Sequence, residues 1–238
     1  VLRTLGRAHD ADAARRAIAT ARERFGNVSI DLMCGIPGQS AESFAASVEE
    51  AVRLGVSHAS VYPLTIEPYT RFEKMVLHGE LEEPDDDVEA EHMEIAERIL
   101  VEAGFHRYEV ASYAKPGCEC RHNKAYWSGI PYLGLGRAAA TMTQNAERRM
   151  RVQDGQVTDD LDPRQMAAED LMLGMRMSQG VSQDLIDRAS ALIPRTPEVI
   201  GDLVERGLAY RDDGRLKPTK QGWLCGNELY GALLDLAP

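Results

Sequence analysis

Two short apolar strands separated by one amphipathic helix constrain the fold of this chain more than any other feature. Residues 28–33 (VSIDLM) favour a buried strand, and residues 59–62 (ASVY) favour a second one. Between them, Ser40 is placed to cap a helix whose Phe44 and Val48 share one side. Because the whole unit spans about 35 residues, its strands are expected to pair in parallel through a right-handed crossover. This βαβ unit predicts an α/β fold.

Further elements are predicted on both sides of this unit. Asp10 or Asp12 can cap a helix that runs to about Phe25. The other predicted elements are helices at 71–78 and from 84 onward, a strand at 108–112 and a hairpin at 148–157 that turns at Asp154-Gly155. The acidic run at 82–87 precedes the second of these helices, where negative charge favours the helix dipole. A cation site is the alternative interpretation of that run.

The pattern changes from Asp162 onward, where strands and helices no longer alternate. Helices are predicted at 163–177, 182–190 and 197–206, followed by a small β-wing at 208–219. We therefore predict two domains, residues 1–160 and residues 161–238. The second resembles a winged helix, a fold that often binds DNA, but no dense Lys/Arg face is evident. A structural or partner-docking role is favoured.

The composition sets the class of protein. The 238 residues are 44% hydrophobic and carry a formal net charge of -11. Nucleic acid and anionic membranes repel such a chain, so we expect neither as a partner. No apolar run approaches the ~20 residues of a membrane helix. No signal-peptide pattern is present at the start, and a cytoplasmic protein is expected.

The cysteines and the first residue carry two further expectations. The chain has four cysteines, too few and too scattered for the disulfide framework of a secreted domain, so free thiols are predicted. The sequence starts at Val1 in a polar segment that leads directly into a helix. We therefore expect that the native start lies upstream and that the chain is a fragment.

Three residues mark a candidate ligand site at the carboxyl ends of the predicted strands. Asp31 lies in the first strand, Gly35 follows it and Thr65 follows the second. Ligands collect at these ends in parallel sheets because the loops there diverge. Residues 35–39 (GIPGQ) combine glycines that permit close backbone approach with one restraining proline. An ordinary strand-to-helix turn is the alternative.

Residues 120–127 (CRHNKAYW), called the signature segment below, hold the second candidate site. We predict that this segment is a loop. The imidazole of His122 suits axial ligation of heme iron. Alternatively, His122 and Asn123 hydrogen-bond the loop while Tyr126 and Trp127 pack on the sheet. Cys118, Cys120 and His122 are also residue types that bind a soft metal, although their spacing is cramped for one tetrahedral site.

These segments resemble a known family. The signature segment and residues 132–136 (YLGLG) resemble the CRHNxxYW region of the heme chaperones within the oxygen-independent coproporphyrinogen III oxidase group, a branch of the radical S-adenosylmethionine (SAM) proteins. Residues 27–39 are similar to the group's NxDLMYGLPGQ strand and loop. The resemblance extends to residues 5–9 and 168–181. It implies part of a radical SAM partial TIM barrel followed by a helical winged-helix-like domain.

The resemblance also implies cofactors and their contacts. In relatives, a carboxylate matching Asp31 hydrogen-bonds the SAM nucleoside, and an arginine matching Arg7 approaches the methionyl carboxylate. Gly35 belongs to the SAM loop, and the position of Thr65 lies beside the adenine. Heme is expected at four residues of the signature segment: His122, Asn123, Tyr126 and Trp127. The intact protein is expected to hold SAM, a [4Fe-4S] cluster and heme.

Two departures from the family pattern bear on activity. The CxxxCxxC run that holds the cluster is absent from these residues. Without it, reductive cleavage of SAM to a radical cannot occur on this chain, which we predict to be inactive alone as an oxidoreductase. The segment 136–141 reads GRAAAT where relatives have GPGAHS, so Ala140 replaces a histidine. That replacement removes an imidazole from this segment.

Three functions follow from the resemblance and its departures. The first is a heme-binding chaperone that passes heme to client heme proteins. The second is oxygen-independent coproporphyrinogen III oxidase, which converts propionates to vinyl groups in porphyrin biosynthesis through a SAM-derived radical. The third is a non-catalytic domain that docks protein or DNA. The HNxxYW residues favour the chaperone.

Overall fold

A computed structural model describes all residues, 1–238, and the chain divides into two compact units, Val1–Glu119 and Cys120–Pro238. This division differs from the predicted ranges 1–160 and 161–238. The hairpin and the signature segment belong to the second unit because buried ion pairs tie the hairpin to the helix that follows it. Arg149 of the hairpin contacts Glu169 and Asp170 of that helix.

The first unit contains the predicted βαβ unit. Its elements are α1 (Ala11–Arg24), β1 (Ser29–Cys34), α2 (Ala41–Arg53), β2 (His58–Pro63), α3 (Arg71–Leu77), α4 (Asp86–Glu102), β3 (His106–Arg107) and β4 (Ser112–Ala114). Strands β1 and β2 pair in parallel, with Asp31 opposite Ser60. The sheet order is β1-β2-β4-β3, and the last two strands are antiparallel to their neighbours.

Local capping explains where these helices begin. Asp10 accepts a hydrogen bond from the backbone N–H of Ala13, and Ser40 accepts one from Ser43, as expected from the sequence. One apolar core then joins the sheet to α2 and α4. Its fully buried members include Cys34, Phe44, Val48, Val56, Ala59, Ala96, Leu100 and Tyr113.

The predicted strand at 108–112 is wrong in its bounds. The chain turns at residues 108–111, between the short strands β3 and β4, so these residues do not extend one strand. The turn is held from inside, because Tyr108 donates a backbone hydrogen bond to Ser112 and its hydroxyl bonds His58 at 2.9 Å. The backbone of Ala111 also accepts from Val61 of β2 at 2.7 Å.

The second unit begins with a helix where a loop was predicted. Its elements are α5 (Arg121–Trp127), β5 (Ala140–Gln144), β6 (Arg149–Gln153), β7 (Gln156–Leu161), α6 (Pro163–Met175), β8 (Val181–Ser182), α7 (Gln183–Leu192), α8 (Thr196–Glu205), β9 (Ala209–Asp212), β10 (Arg215–Pro218), α9 (Lys220–Leu224) and α10 (Gly226–Leu234). The signature segment is helical because its aromatic side chains find partners at helical spacing, as described below.

Two small sheets and a helical core complete this unit. Strands β5, β6 and β7 form an antiparallel meander, and Asp154-Gly155 makes the predicted turn with positive φ angles of 47° and 78°. Strands β8, β10 and β9 form the wing. Helix α6 packs against α7 and α10 over a buried core that includes Leu171, Met175, Ile200, Leu203, Leu229 and Leu233. None of the helices is both long and apolar enough to cross a membrane.

Candidate functional site

A cavity of about 1000 Å³ in the first unit brings two of the proposed SAM residues together. Arg7 and Asp31 both line it, with Ile36 and Gln39 from the loop that follows β1. Asp31 also lies near Tyr62 of the adjacent strand. Burial and then the Asp31 carboxylate raise the pKa of Tyr62 to about 12, while Arg7 acts in the opposite direction. The cavity thus holds a cation and an anion that can meet complementary groups of one ligand.

Gln39 adds an unpaired acceptor to the same cavity. Its side chain is buried, and its Oε1 atom has no hydrogen-bond partner. A buried polar atom of this kind costs free energy unless a donor reaches it. The residues therefore fit a ligand that carries hydroxyl or amino donors beside a carboxylate, and SAM has both kinds of group. Sequence reasoning missed Gln39, although it ends the GIPGQ loop.

Gly35 and Thr65 lie outside the lining of this cavity. Thr65 is exposed in the loop after β2. Gly35 has a φ angle of +66°, and a Cβ atom there would lie 2.5 Å from Cγ of Glu89. Gly35 thus shapes the loop through its backbone, and its contact with SAM stays a prediction.

His92 of α4 holds the same loop from inside the core. Its imidazole is fully buried and stacks on Phe44 with 4.8 Å between ring centroids. The backbone N–H of Gly35 donates to its Nδ1 atom at 3.2 Å, so that nitrogen carries no proton. Burial lowers the pKa of His92, with Glu91 opposing that shift. The sequence marked His92 only as part of the buried stripe of the helix.

We expect His92→Asn to reduce the acid sensitivity of the first unit. Because the pKa of His92 is lowered in the folded state, the unfolded chain binds more protons below about pH 6.5. The contribution of His92 to the free energy of unfolding is therefore fully present above that pH. It is lost as the pH falls towards the pKa of His92 in the folded state. Asn keeps an acceptor near Gly35 but does not titrate. Burial also lowers the pKa of His58. The stability of the variant should therefore still depend on pH, but less strongly than that of the wild type.

The measurement is urea denaturation at pH 7.5 and pH 5.5, followed by far-ultraviolet circular dichroism. Both tryptophans of the chain, Trp127 and Trp223, lie in the second unit. The transition that leaves tryptophan fluorescence unchanged therefore reports the first unit. An equal shift of its midpoint in wild type and variant would contradict the assignment of acid sensitivity to His92.

Helix α5 sets an imidazole beside an aromatic pair. His122 and Tyr126 are four residues apart, so they share one face, with 6.4 Å between ring centroids. Tyr126 stacks on Tyr132 at 5.1 Å, and their hydroxyls share a hydrogen bond of 3.3 Å. That bond, and then burial, raise the pKa of Tyr126. His122 and Tyr126 are both exposed, which leaves this face open to a planar ligand.

Trp127 is directed to a different contact. The guanidinium of Arg176 lies 5.0 Å from the Trp127 ring and 4.6 Å from the Tyr230 ring. This cation–π sandwich joins α5 to the end of α6 and to α10. Trp127 also meets Tyr126 edge-on at 5.6 Å. It therefore supports the helix, while His122 and Tyr126 form the open face. Asn123 is half-buried on the same helix.

The remaining metal hypotheses find little support in the geometry. No three or more His, Cys, Asp or Glu side chains are grouped so that they could hold a metal ion. Cys120 precedes α5 and is half-buried, and all four cysteines are free thiols. The residues present do not fit a [4Fe-4S] cluster. Ala140 begins β5, and its carbonyl packs against the backbone of Gly134.

Comparison with solved structures identifies the fold first. The structure of coproporphyrinogen III oxidase (HemN) from Escherichia coli, described as a radical SAM enzyme, matches with a TM-score of 0.72 and 16% identity. The match covers 98% of this chain and 60% of that one. The predicted fold class, part of a radical SAM partial barrel with a helical winged-helix-like domain, is confirmed. A family profile described as the HemN C-terminal domain also matches residues 161–225.

Sequence relatives then identify the family. The heme chaperone HemW of Bacillus subtilis is 34% identical over 98% of this chain and 66% of its own length. The heme chaperone HemW of Mycobacterium tuberculosis is 45% identical over 58% of this chain and 36% of its own length. The chain thus spans between about a third and two thirds of these relatives. It belongs to the heme chaperone branch of the oxygen-independent coproporphyrinogen III oxidase family.

Proposed function

We propose that this chain is the heme-binding part of a radical SAM heme chaperone. The observation that carries the proposal is the open face of α5, where the exposed imidazole of His122 stands beside the stacked rings of Tyr126 and Tyr132. A neutral imidazole is a good axial ligand for heme iron, and aromatic rings supply apolar area for a porphyrin. The relatives named as heme chaperones support the same assignment.

The cavity of the first unit is proposed as the SAM site. Arg7 would pair with the methionyl carboxylate, and Asp31 would accept hydrogen bonds from the ribose hydroxyls. Gln39 Oε1 would gain the donor that it lacks. When bound beside a reduced cluster, SAM supplies a radical in this superfamily. Since no cluster ligands are grouped here, the residues present bind and orient SAM without cleaving it.

We also propose a role for the whole protein. It delivers heme to client heme proteins in the cytoplasm, and neither nucleic acid nor a membrane is its partner. The oxidase alternative differs in one measurable respect. Turnover of coproporphyrinogen without stable heme binding would favour the oxidase, whereas stoichiometric heme without turnover would favour the chaperone.

We expect His122→Ala to weaken heme binding by about tenfold and to change the Soret spectrum. The reason is that the substitution removes the axial nitrogen while leaving the Tyr126 and Tyr132 rings in place. The measurement is a heme titration of the 238-residue chain, followed by absorption spectroscopy. The matched control is His78→Ala, which removes another exposed histidine at the end of α3. An unchanged affinity and spectrum would remove His122 from the ligand set.

A further inference from the structure

One stretch of this acidic chain contains no acidic residue. The protein has 38 Asp and Glu residues and a net charge of -11, yet none of the 38 lies between Cys120 and Ala146. The same stretch carries Arg121, Lys124 and Arg137, all exposed. None of these three side chains belongs to an ion pair of the structure. The stretch therefore presents uncompensated positive charge next to His122.

The acidic groups that approach from other elements do not cancel this charge. Glu169 lies near Tyr126, but Arg149 and Arg151 bind it at 2.5 Å and 2.8 Å. Asp154 accepts a hydrogen bond at 3.1 Å from the backbone N–H of Ala138.

The side chains of two leucines in the same stretch are held exposed to solvent. The side chains of Leu133 and Leu135 are 74% and 82% exposed. They cannot fold inward, because the backbone around them is held against β5. Tyr132 and Met142 exchange two backbone hydrogen bonds of 3.1 Å and 2.9 Å, and the N–H of Gly134 donates to Thr141 at 3.0 Å. The two leucines therefore offer apolar area that a ligand can cover.

Ring contacts place the loop that carries these leucines beside the open face of α5. The rings of His122, Tyr126 and Tyr132 contact in succession, and Leu133 follows Tyr132 directly. The acid-free surface is defined here as the exposed side chains of Arg121, His122, Tyr126, Leu133, Leu135 and Arg137. It combines exposed apolar and aromatic side chains with two exposed arginines. A planar macrocycle that bears carboxylates is complementary to both properties.

We propose that the acid-free surface recognises a porphyrin dicarboxylate by its charge and its apolar ring, independently of the iron. Arg121 and Arg137 attract the propionate carboxylates, and Leu133 and Leu135 cover the macrocycle. His122 then adds a bond to iron when iron is present. This inference rests on the proposed heme-binding function and assigns the residues that select the ligand.

The first test uses metal-free mesoporphyrin IX, whose fluorescence reports binding to the full chain. We expect it to bind within about tenfold of heme. Raising the salt concentration should weaken its binding, because dissolved ions screen the attraction between the arginines and the propionate carboxylates. The double variant Arg121→Glu/Arg137→Glu should bind it at least tenfold more weakly. The dimethyl ester, which lacks the negative charges, should bind wild type and that variant equally.

The second test addresses the leucines. Leu133→Ser/Leu135→Ser should weaken mesoporphyrin binding at least tenfold, because each leucine would lose contact with the ring. The matched control is Leu77→Ser, since Leu77 is 75% exposed on α3 of the first unit. That control should bind as wild type does. Circular dichroism of every variant shows whether it is folded.

The outcomes separate this inference from the proposed function. If heme binds but mesoporphyrin does not, iron ligation selects the ligand and the inference is overturned while the function stands. The same conclusion follows if charge reversal and both serine substitutions leave the affinity unchanged. If neither heme nor mesoporphyrin binds the wild-type chain, the proposed function fails, and the inference fails with it.

Discussion

We expect Arg149→Met to lower the free energy of unfolding of the second unit by about 3–5 kcal/mol. The guanidinium of Arg149 is buried, and each of its three nitrogens donates to one acceptor. It donates to Glu169 at 2.5 Å, to Asp170 at 2.6 Å and to Gln144 at 2.8 Å. Methionine occupies the space of the aliphatic part of the arginine side chain. It leaves the Glu169 carboxylate buried with one hydrogen-bond partner fewer. Arg151 still contacts Glu169 at 2.8 Å, which places the expected loss near the lower end.

The neighbouring residue provides the control. Arg148 pairs with Asp160 on the outside of the same hairpin, where both side chains are about half exposed. Water and salt screen an exposed ion pair, so Arg148→Met should change the free energy of unfolding little. Urea denaturation followed by tryptophan fluorescence measures both variants, since Trp127 and Trp223 lie in this unit. Equal losses in the two variants would show that burial does not set the strength of the Arg149 network.

The elements that could be predicted from the sequence are those whose signals are local. Ser40 and Asp10 cap their helices through side chains a few residues from the backbone N–H groups they bind. Asp154-Gly155 turns the hairpin because both residues adopt positive φ. The connection in the βαβ unit is short, so its two strands pair with each other in parallel through a right-handed crossover. In each case the determining contact lies within the segment itself.

The signature helix could not be predicted in this way. Cys120 provides no side-chain cap at its start, and the helix is only seven residues long. Short helices depend on tertiary contacts. Here the contact is Arg176, which lies far along the chain and stacks between Trp127 and Tyr230. Only the structure shows that this sandwich takes Trp127 away from the face that His122 and Tyr126 share.

Part of each candidate site was likewise hidden from the sequence. Arg7 and Asp31 were chosen from the resemblance, and both line one cavity. Gln39 was missed because its importance lies in an unpaired buried oxygen, which no local pattern reports. Leu133 and Leu135 belong to the YLGLG residues of the resemblance, but the sequence does not show that their side chains are exposed. Their exposure is a consequence of the backbone contacts with β5.

We expect Gly134→Ala to weaken heme binding at least tenfold and to cost about 1–3 kcal/mol of stability. A Cβ atom at this position would lie 2.2 Å from the carbonyl oxygen of Ala140 and 2.6 Å from its carbon. These atoms belong to the backbone of β5, so no flexible side chain can give way. The loop must move off the strand and lose the hydrogen bond between Gly134 and Thr141. That movement displaces Leu133, Leu135 and the ring of Tyr132.

The matched control is Gly201→Ala in α8, where an added Cβ atom meets no other atom within 4 Å. Alanine is the better helix former there, so this variant should gain up to about 1 kcal/mol and bind heme as wild type does. Urea denaturation and heme titration of both variants give the comparison. If Gly134→Ala kept wild-type affinity, heme would not require the loop to lie against β5. The binding surface would then reduce to the face of α5, because His122 and Tyr126 contact each other within one helix.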